Sequence, residues 1–578
     1  MVRRIADRED DIVKRAAGKK AEREAREKAQ REAAKKPRAK GKAKASAASS
    51  QANPRADGGG FSLRSIPRWV LPAVLGVVAL VLVLVLVTGG DDEAADGPAA
   101  VVPASAPLYV DLTLRPEGEA KTSAEAALGT ILDESDPGAE LISLIEEQAK
   151  KEGEEFDYEE DVEPWLGERF SVFLTKIGED DESEGGFIIE TTDSDAALEF
   201  INSQEEGEDS GEEKEYEGVD YTIDEDGDAF GLVGDFVVGG DEPAFKAAVD
   251  ASDGEALAES DEFTDATGDL ESDRLATLYV PVEKFLDAVA EDLDPQAKEF
   301  LERAAGDAAK EPVVGQMTAS ATDVTFELSA GGGGVETTES SLLEDLPAEA
   351  WLGLGLGDVG GTIDNAIDNL DDAGIDADTI RTQLQTQTGL ELDAVTAALG
   401  EAAIYVQGRT VADLAGALVI QDKDQTVTAN LLDSLESLIA QQSQGAVKVQ
   451  PLQGVDAGFQ VIDPTQVVAK PFQVVQQDGK IIAGYGANSV QQASRIATSP
   501  KTLAEEAFFQ NARDAVGDLG VDAYLAIEPV LALAESEGAT QDAQYQEAKP
   551  YLESLAFLAV GSGNDGDRNV VRFILGLR

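Results

Sequence analysis

Among 578 residues there is no histidine and no cysteine, so any chemistry in this chain must run on carboxylates, hydroxyls and amines. Without thiolates there is no disulfide framework, no iron–sulfur cluster and no cysteine-ligated zinc. Without imidazole, the Ser-His-Asp arrangement, the His-Glu-x-x-His zinc helix and His-ligated haem are excluded too. Asp and Glu, by contrast, number 114. The densest candidate is the run Asp220, Asp224, Glu225, Asp226 and Asp228. Four of these, Asp220, Asp224, Asp226 and Asp228, are candidate calcium ligands, because a hard cation collects several carboxylate oxygens. Neither a glycine at the sixth position nor a closing glutamate falls in the register of an EF-hand, so a turn with solvated charges is the favoured reading.

The remaining motifs are weaker. Gly353, Gly355 and Gly357, followed by Gly360 and Gly361, suggest a phosphate loop, but the dinucleotide spacing and the Walker lysine are missing. A glycine-rich strand fits better. Tyr545 and Lys549 stand four apart on an expected helix, as in some reductases, and without a dinucleotide loop they read as ordinary helical neighbours. Two carboxylates at a set separation would suffice for glycoside hydrolysis, but 105 acidic residues beyond position 68 produce such pairs by chance. Trp165 and Trp351 follow apolar patterns and read as core aromatics. No catalytic residue and no cofactor is assigned.

The elements that must carry these residues begin at a membrane. Trp69 to Val87 is an uncharged run of nineteen residues, about 28 Å as a helix, enough for one crossing. Residues 1–68 hold 20 Lys+Arg against 9 Asp+Glu, a net +11, which leaves −79 of the formal −68 for everything beyond them. Arg64 and Arg68 precede the span, whereas Asp91, Asp92 and Glu93 follow it, so the N-terminus is expected in the cytoplasm and the rest outside. The basic region and the apolar core are too long for a cleaved signal peptide. Residues 7–36 are a solvated helix-former, and 37–60 a Pro/Gly/Ala/Ser linker. The basic tail is suited to anionic lipid head groups; no aromatic interleaves before Phe61, so nucleic acid is set aside.

Beyond the span the chain repeats itself. Residues 260–286 and 505–531 share a Phe, Leu, polar turn, strand and helix-start pattern. Pro103 to Val110 answers Pro347 to Leu354, and Leu166-Gly167-Glu168 answers Leu399-Gly400-Glu401. Residues 186–201 match 416–432, and the Gly-Val-Asp of 218–220 matches that of 454–456. The expected divisions are a cytoplasmic tail (1–68), a transmembrane helix (69–88), a linker (89–102), a first repeat (103–330), a linker (331–346) and a second repeat (347–578). Short segments rich in β-branched and aromatic residues alternate with segments of helical period. Asp226-Gly227 and Asp478-Gly479 mark hairpins, expected at equivalent places, with helices starting near Val282 and Pro529. The fold class is α+β: two tandem repeats, each a mainly antiparallel sheet with helices on one face, after one N-terminal transmembrane helix. A doubly wound βαβ fold is the second choice. The acidic runs 179–184 and 205–215 read as solvated loops.

The Val-Pro-Ala-x-Ala-x-Leu-Tyr-Val opening (Val102 to Val110), Leu166 to Glu168 before a strand, and Gly218 to Tyr221 resemble bacterial, largely actinobacterial, membrane-anchored proteins grouped as "domain of unknown function 3352". The resemblance covers residues 101–578 and implies an anchored extracytoplasmic protein, with no activity or site residue. Two functional readings follow. The first is a non-enzymatic binding or structural component of the cell envelope whose partner is an envelope protein, lipid or glycan, met in a groove between copies. The second is a carboxylate-based hydrolase, with or without a divalent cation, marked by perturbed carboxylates in a cleft. The acidity repels anionic surfaces and attracts cations, and a high-salt habitat would also select for it.

Overall fold

The computed structural model describes residues 97–578 apart from 136, 141, 144–145, 147–156, 179–182, 205–210, 225–226, 291–309, 332–339, 373–376, 465–469, 487–489, 491–500 and 567. The tail, the span at 69–88 and residues 89–96 lie outside the described residues. Among those described, no helix is long and apolar enough to cross a membrane.

The first half contains strands β1 (Leu108–Thr113), β2 (Leu166–Lys176), β3 (Glu184–Thr191), β4 (Glu212–Tyr216), β5 (Val219–Ile223), β6 (Asp228–Val233), β7 (Phe236–Asp241), β8 (Ala276–Val280), β9 (Val313–Ala319) and β10 (Asp323–Ala330). Its helices are α1 (Gly118–Leu132), α2 (Ser194–Gln204), α3 (Glu242–Ser252), α4 (Asp261–Thr267) and α5 (Val282–Ala290). The second half contains β11 (Ala350–Leu356), β12 (Leu399–Gln407), β13 (Ala415–Asp422), β14 (Lys448–Pro451), β15 (Ala457–Ile462), β16 (Phe472–Gln477), β17 (Lys480–Tyr485), β18 (Ala523–Ala526), β19 (Leu555–Asp565) and β20 (Arg568–Leu577). Its helices are α6 (Val359–Asp372), α7 (Ala377–Thr388), α8 (Leu392–Ala398), α9 (Gln425–Gln442), α10 (Ala507–Val516), α11 (Ile527–Ser536) and α12 (Ala543–Ser554).

Among the described residues all pairings are antiparallel, and they make one sheet of twenty strands. In the first half the order is β4-β5-β6-β7-β3-β2-β1-β8-β9-β10. In the second it is β14-β15-β16-β17-β13-β12-β11-β18-β19-β20. The order is the same in both, and the last strands, β10 and β20, pair with each other from Asp323–Gly576 to Ala330–Asn569. The chain is therefore α+β on a large antiparallel sheet; the doubly wound alternative, which needs parallel strands, does not describe it.

Local chemistry explains the elements. Asp478 (φ 53°) and Gly479 (φ 72°) both take the left-handed conformation that a tight two-residue hairpin requires, and Asp-Gly tolerates it. Asp424 caps α9, its Oδ1 accepting from the amides of Thr426 (3.0 Å) and Val427 (3.2 Å). A Cβ on Gly167 would lie 2.7 Å from the Glu190 carbonyl oxygen, and one on Gly400 would lie 2.3 Å from the Gln421 side chain. These glycines of the two Leu-Gly-Glu motifs let neighbouring strands approach closely.

Two expectations need correction. Helices cover both faces: Val238 packs with Phe245, Ala248 and Val249 of α3, whereas adjacent Val237 packs with Ala197 of α2 and Trp165. Likewise Ile482 shares a core with Phe509 of α10, and Ile481 with Leu432 of α9. The uninterrupted apolar runs Phe236-Val237-Val238 and Ile481-Ile482 carry that signal, since a strand buried on both faces does not alternate. Next to each half, Val102 and Leu346 are fully buried, and Pro103 and Pro347 bridge to Ala256 and Thr502. Finally, the two Asp-Gly turns are not equivalent. Asp478-Gly479 joins β16 to β17, whose place in the order is that of β6 and β7, turning at Gly234, whereas Gly227 lies between β5 and β6. The helix starts hold better: α5 begins at Val282 and α11 at Ile527.

Candidate functional site

Of the acidic run chosen from the sequence, Asp220, Asp224 and Asp228 are among the described residues. Asp220 lies in β5 opposite Glu215 of β4. Asp224 Oδ1 accepts from the amides of Gly227 and Asp228, both at 2.9 Å, so its carboxylate holds the turn. Asp226 and Glu225 lie outside the described residues. Among the described residues no three acidic side chains are placed to hold a metal ion.

The other singled-out residues have local roles. Gly353 and Gly355 stand in β11, and Gly360 and Gly361 in α6. Tyr545 and Lys549 both reach the Glu535 carboxylate, at 3.0 and 2.7 Å, tying α12 to α11. Lys549, with Tyr545 second, holds the Glu535 carboxyl below its ordinary pKa. Trp165 is buried, its indole N–H donating to the Asp161 carbonyl; Trp351, half-buried, donates to Gly408.

The composition-based reading missed a row of polar side chains across the middle of the sheet. In register, Ser171 (β2), Asp111 (β1), Thr277 (β8), Gln316 (β9), Glu327 (β10) and Arg572 (β20) are successive cross-strand partners. The first four are buried. Arg169 pairs with Asp111, which also accepts from Ser171 Oγ at 2.9 Å. Arg274 Nε donates to Thr277 (2.8 Å), Gln316 Nε2 to Glu327 (3.0 Å), and Arg572 Nε to Glu327 (2.5 Å). Burial, reinforced by Asp111, pushes the Tyr109 phenol far above its ordinary value. Burial also raises the Glu190 carboxyl, against the opposing N–H of Glu168 and charge of Arg169. A network in which each charged group has a hydrogen-bond partner fixes the register of the strands. Its signal in the sequence was one polar residue at an inward position of each apolar strand, such as Asp111 in LYVDLT.

The open space lies on the other face, where α1 of the first half meets α12 of the second. It is a cleft of about 1130 Å³. It is lined by Lys121, Thr122, Glu125 and Thr130 of α1, by Asp133, Glu134, Ser135, Pro137, Gly138 and Ala139 after it, and by Pro550, Glu553 and Ser554 of α12, with Arg578. Tyr158, Glu159 and Glu163 also line it. Behind them Arg115 is buried, donating to the Tyr158 hydroxyl (3.4 Å) and the Glu163 carbonyl (3.0 Å). Burial raises the Tyr158 phenol, and the hydrogen bond from Arg115 partly offsets it. Lys121, Glu125, Gly129 and Asp133 recur every four residues, a pattern indistinguishable in sequence from an ordinary solvated helix face.

Against known proteins, a family described as "Protein of unknown function (DUF3352)" matches residues 70–573. No curated protein matches. One similar solved structure, titled "Structure of crystal form I of TP0453", aligns with 70% of this chain and 98% of its own at 10% identity. Its TM-score of 0.15 makes that likeness too slight to support an argument. The family match spans most of the chain, and the protein belongs to the DUF3352 family of proteins of unknown function.

Proposed function

We propose that this is a single-pass membrane protein whose extracytoplasmic part, two copies of one α+β unit, binds another component of the cell envelope without acting on it chemically. The observation that carries the reading is the cleft of about 1130 Å³, because both halves build its walls. Pockets at such junctions are where ligands are commonly held. The duplication is supported by the shared strand order, the paired Gly167 and Gly400 approaches, and the matching bridges of Pro103 and Pro347. The location rests on the span at 69–88 and the charge reversal across it; the basic tail then lies against anionic head groups of the inner leaflet. The partner class is an envelope protein, lipid or glycan. A carboxylate hydrolase would call for a raised carboxyl in the cleft, and the raised groups Glu190 and Asp522 are not among its lining residues.

Two measurements test this. Protease added to intact spheroplasts should digest the chain beyond Thr88 and spare an N-terminal tag; digestion of the tag would overturn the location. The full chain, immobilised by that tag in detergent, should retain a component of its own envelope extract. Retention unaffected by a bulky Thr130→Trp plug in the cleft wall would place binding elsewhere.

A further inference from the structure

Resting on the membrane location proposed above, and independent of the cleft, we infer that the second half holds one acyl chain of a zwitterionic phospholipid along an apolar trough on its sheet. Among the described residues nine large apolar side chains are exposed, and five of them, Leu354, Leu356, Ile404, Leu558 and Phe573, gather on one face. Ile404, Leu354, Ala523, Val560 and Phe573 are successive cross-strand partners from β12 to β20. Leu356 and Leu558 stand two residues to either side of that row and so point the same way. Their neighbours Tyr405, Ala559 and Ile574 point the other way, into the core shared with Phe509 of α10.

Helices stand over this same face on both sides of the row. Ile420 of β13 shares an apolar cluster with Val359 and Ile363 of α6, and Leu575, two residues beyond Phe573, shares one with Ile527 of α11 and Leu552 of α12. A helix is about 10 Å thick, so the row is the floor of a trough and not a raised surface. In the first half the corresponding floor is closed by α1, whose Ala124, Ala127 and Leu128 pack with Leu112.

Length, area and charge identify the occupant. Five strands about 4.8 Å apart make the row about 19 Å long, and the hydrocarbon of one leaflet is about 15 Å deep, so one acyl chain fits. With about 40% of each surface exposed, the five side chains present about 400 Å² of apolar area, half of the about 800 Å² that a stable dimer buries per partner. Each copy also carries a net −79 beyond residue 68, which opposes self-association, and the same charge repels fatty acids and anionic lipids. The supply is close at hand. Nine residues, 88–96, separate the span from Gly97, at most about 32 Å of chain, so the folded part stays beside the outer leaflet.

The test is photolabelling of the full chain in nanodiscs of phosphatidylcholine that carries a diazirine midway along one acyl chain, with the labelled peptides mapped by mass spectrometry. Label is expected in residues 69–88 and in peptides bearing Leu354, Val560 or Phe573. Leu354→Asn with Phe573→Asn should cut labelling of the trough peptides by about tenfold, as loss of two large apolar contacts implies, and leave 69–88 unchanged. The unfolding midpoint of this variant shows that it is folded. Leu198→Asn, at an exposed apolar position on α2, should change neither. Label in 69–88 and none in the trough overturns the proposal while the membrane location stands; label in neither overturns both. Equal loss of trough label in Leu198→Asn would show unspecific contact and overturn it too. A dimer in sedimentation that Leu354→Asn with Phe573→Asn dissociates would assign the trough to a second copy instead.

Discussion

The two halves share a strand order but fill their interiors differently. Tyr109 and Asp111 of β1 stand where the motif match and the strand register place Gly353 and Gly355 of β11. In the first half the space above the strand holds a buried ring and an ion pair to Arg169. In the second, Cβ atoms on the two glycines would lie 2.8 Å from Leu343 and 3.1 Å from Ser340, because the segment before β11 occupies that space. At the start of the neighbouring strand, Glu401 takes hydrogen bonds from the Ser341 amide (2.6 Å) and hydroxyl (2.8 Å), opposite in charge to Arg169. The opposite face diverges too. Helix α1 leans over β9 and β20, whereas α6 leans away over β12 and α8. Leu112 is 3% exposed, and its counterpart Leu356 is 44% exposed. One sheet architecture thus accepts a polar or an apolar core, provided each buried group is matched.

The join shows why the difference matters. Glu327 and Arg572 occupy the same place in their own halves and face each other across β10 and β20. Two first halves meeting by this edge would set glutamate against glutamate, and two second halves arginine against arginine. Like charges directly opposite are unfavourable, so the divergence favours one half pairing with the other.

The comparison can be broken by substitution. Leu112→Ala should cost about 3 kcal/mol in urea unfolding, and Leu356→Ala no more than about 0.5 kcal/mol; equal costs would mean that the helix lean has no energetic consequence. Asp111→Ala leaves Arg169 without its carboxylate and should cost about 2.5 kcal/mol, reduced from a fully buried pair because Arg169 is one-third exposed, whereas Gly355→Ala probes steric crowding alone. Glu327→Arg should cost about 2 kcal/mol, with most of it regained in Glu327→Arg/Arg572→Glu; an additive double variant would show that the pair does not couple the halves.

The smallest effect concerns Glu190, whose place in the second half belongs to the neutral Gln421. Burial raises the Glu190 carboxyl above its ordinary 4.5, so the native state holds the proton more tightly than the unfolded chain. Its contribution is present at pH below 4.5 and is lost as pH rises through the raised value. Glu190→Gln should therefore gain on the natural chain as pH climbs from about 4.5 toward neutral. A pH-independent difference would remove the argument.

Much of the architecture was legible because period and turn chemistry are local. The β-branched and aromatic content of LYVDLT and the Asp478-Gly479 dipeptide identify a strand and a hairpin from a few residues. The hairpin's counterpart was misplaced, since two Asp-Gly dipeptides look alike and only cross-strand register tells β5–β6 from β6–β7. Among the calcium candidates, Asp220 stands on β5 and Asp224 in the turn after it, while Asp226 lies outside the described residues. The cleft was expected as a groove between copies, yet none of its lining residues was named, because Glu125 and Glu553 carry no local mark that separates them from solvated charges.

The sequence by itself determined the absence of imidazole and thiol chemistry, the acidity of everything beyond residue 68, the apolar span and the repeated motif order, since composition and short periods are properties of the chain alone. Only the tertiary structure decided that β10 pairs with β20, that Glu327 meets Arg572 across 245 residues of sequence, and that α1 meets α12 beside a cleft. Those outcomes depend on which edges and helix faces complement one another at long range, and no local pattern specifies a partner that far along the chain.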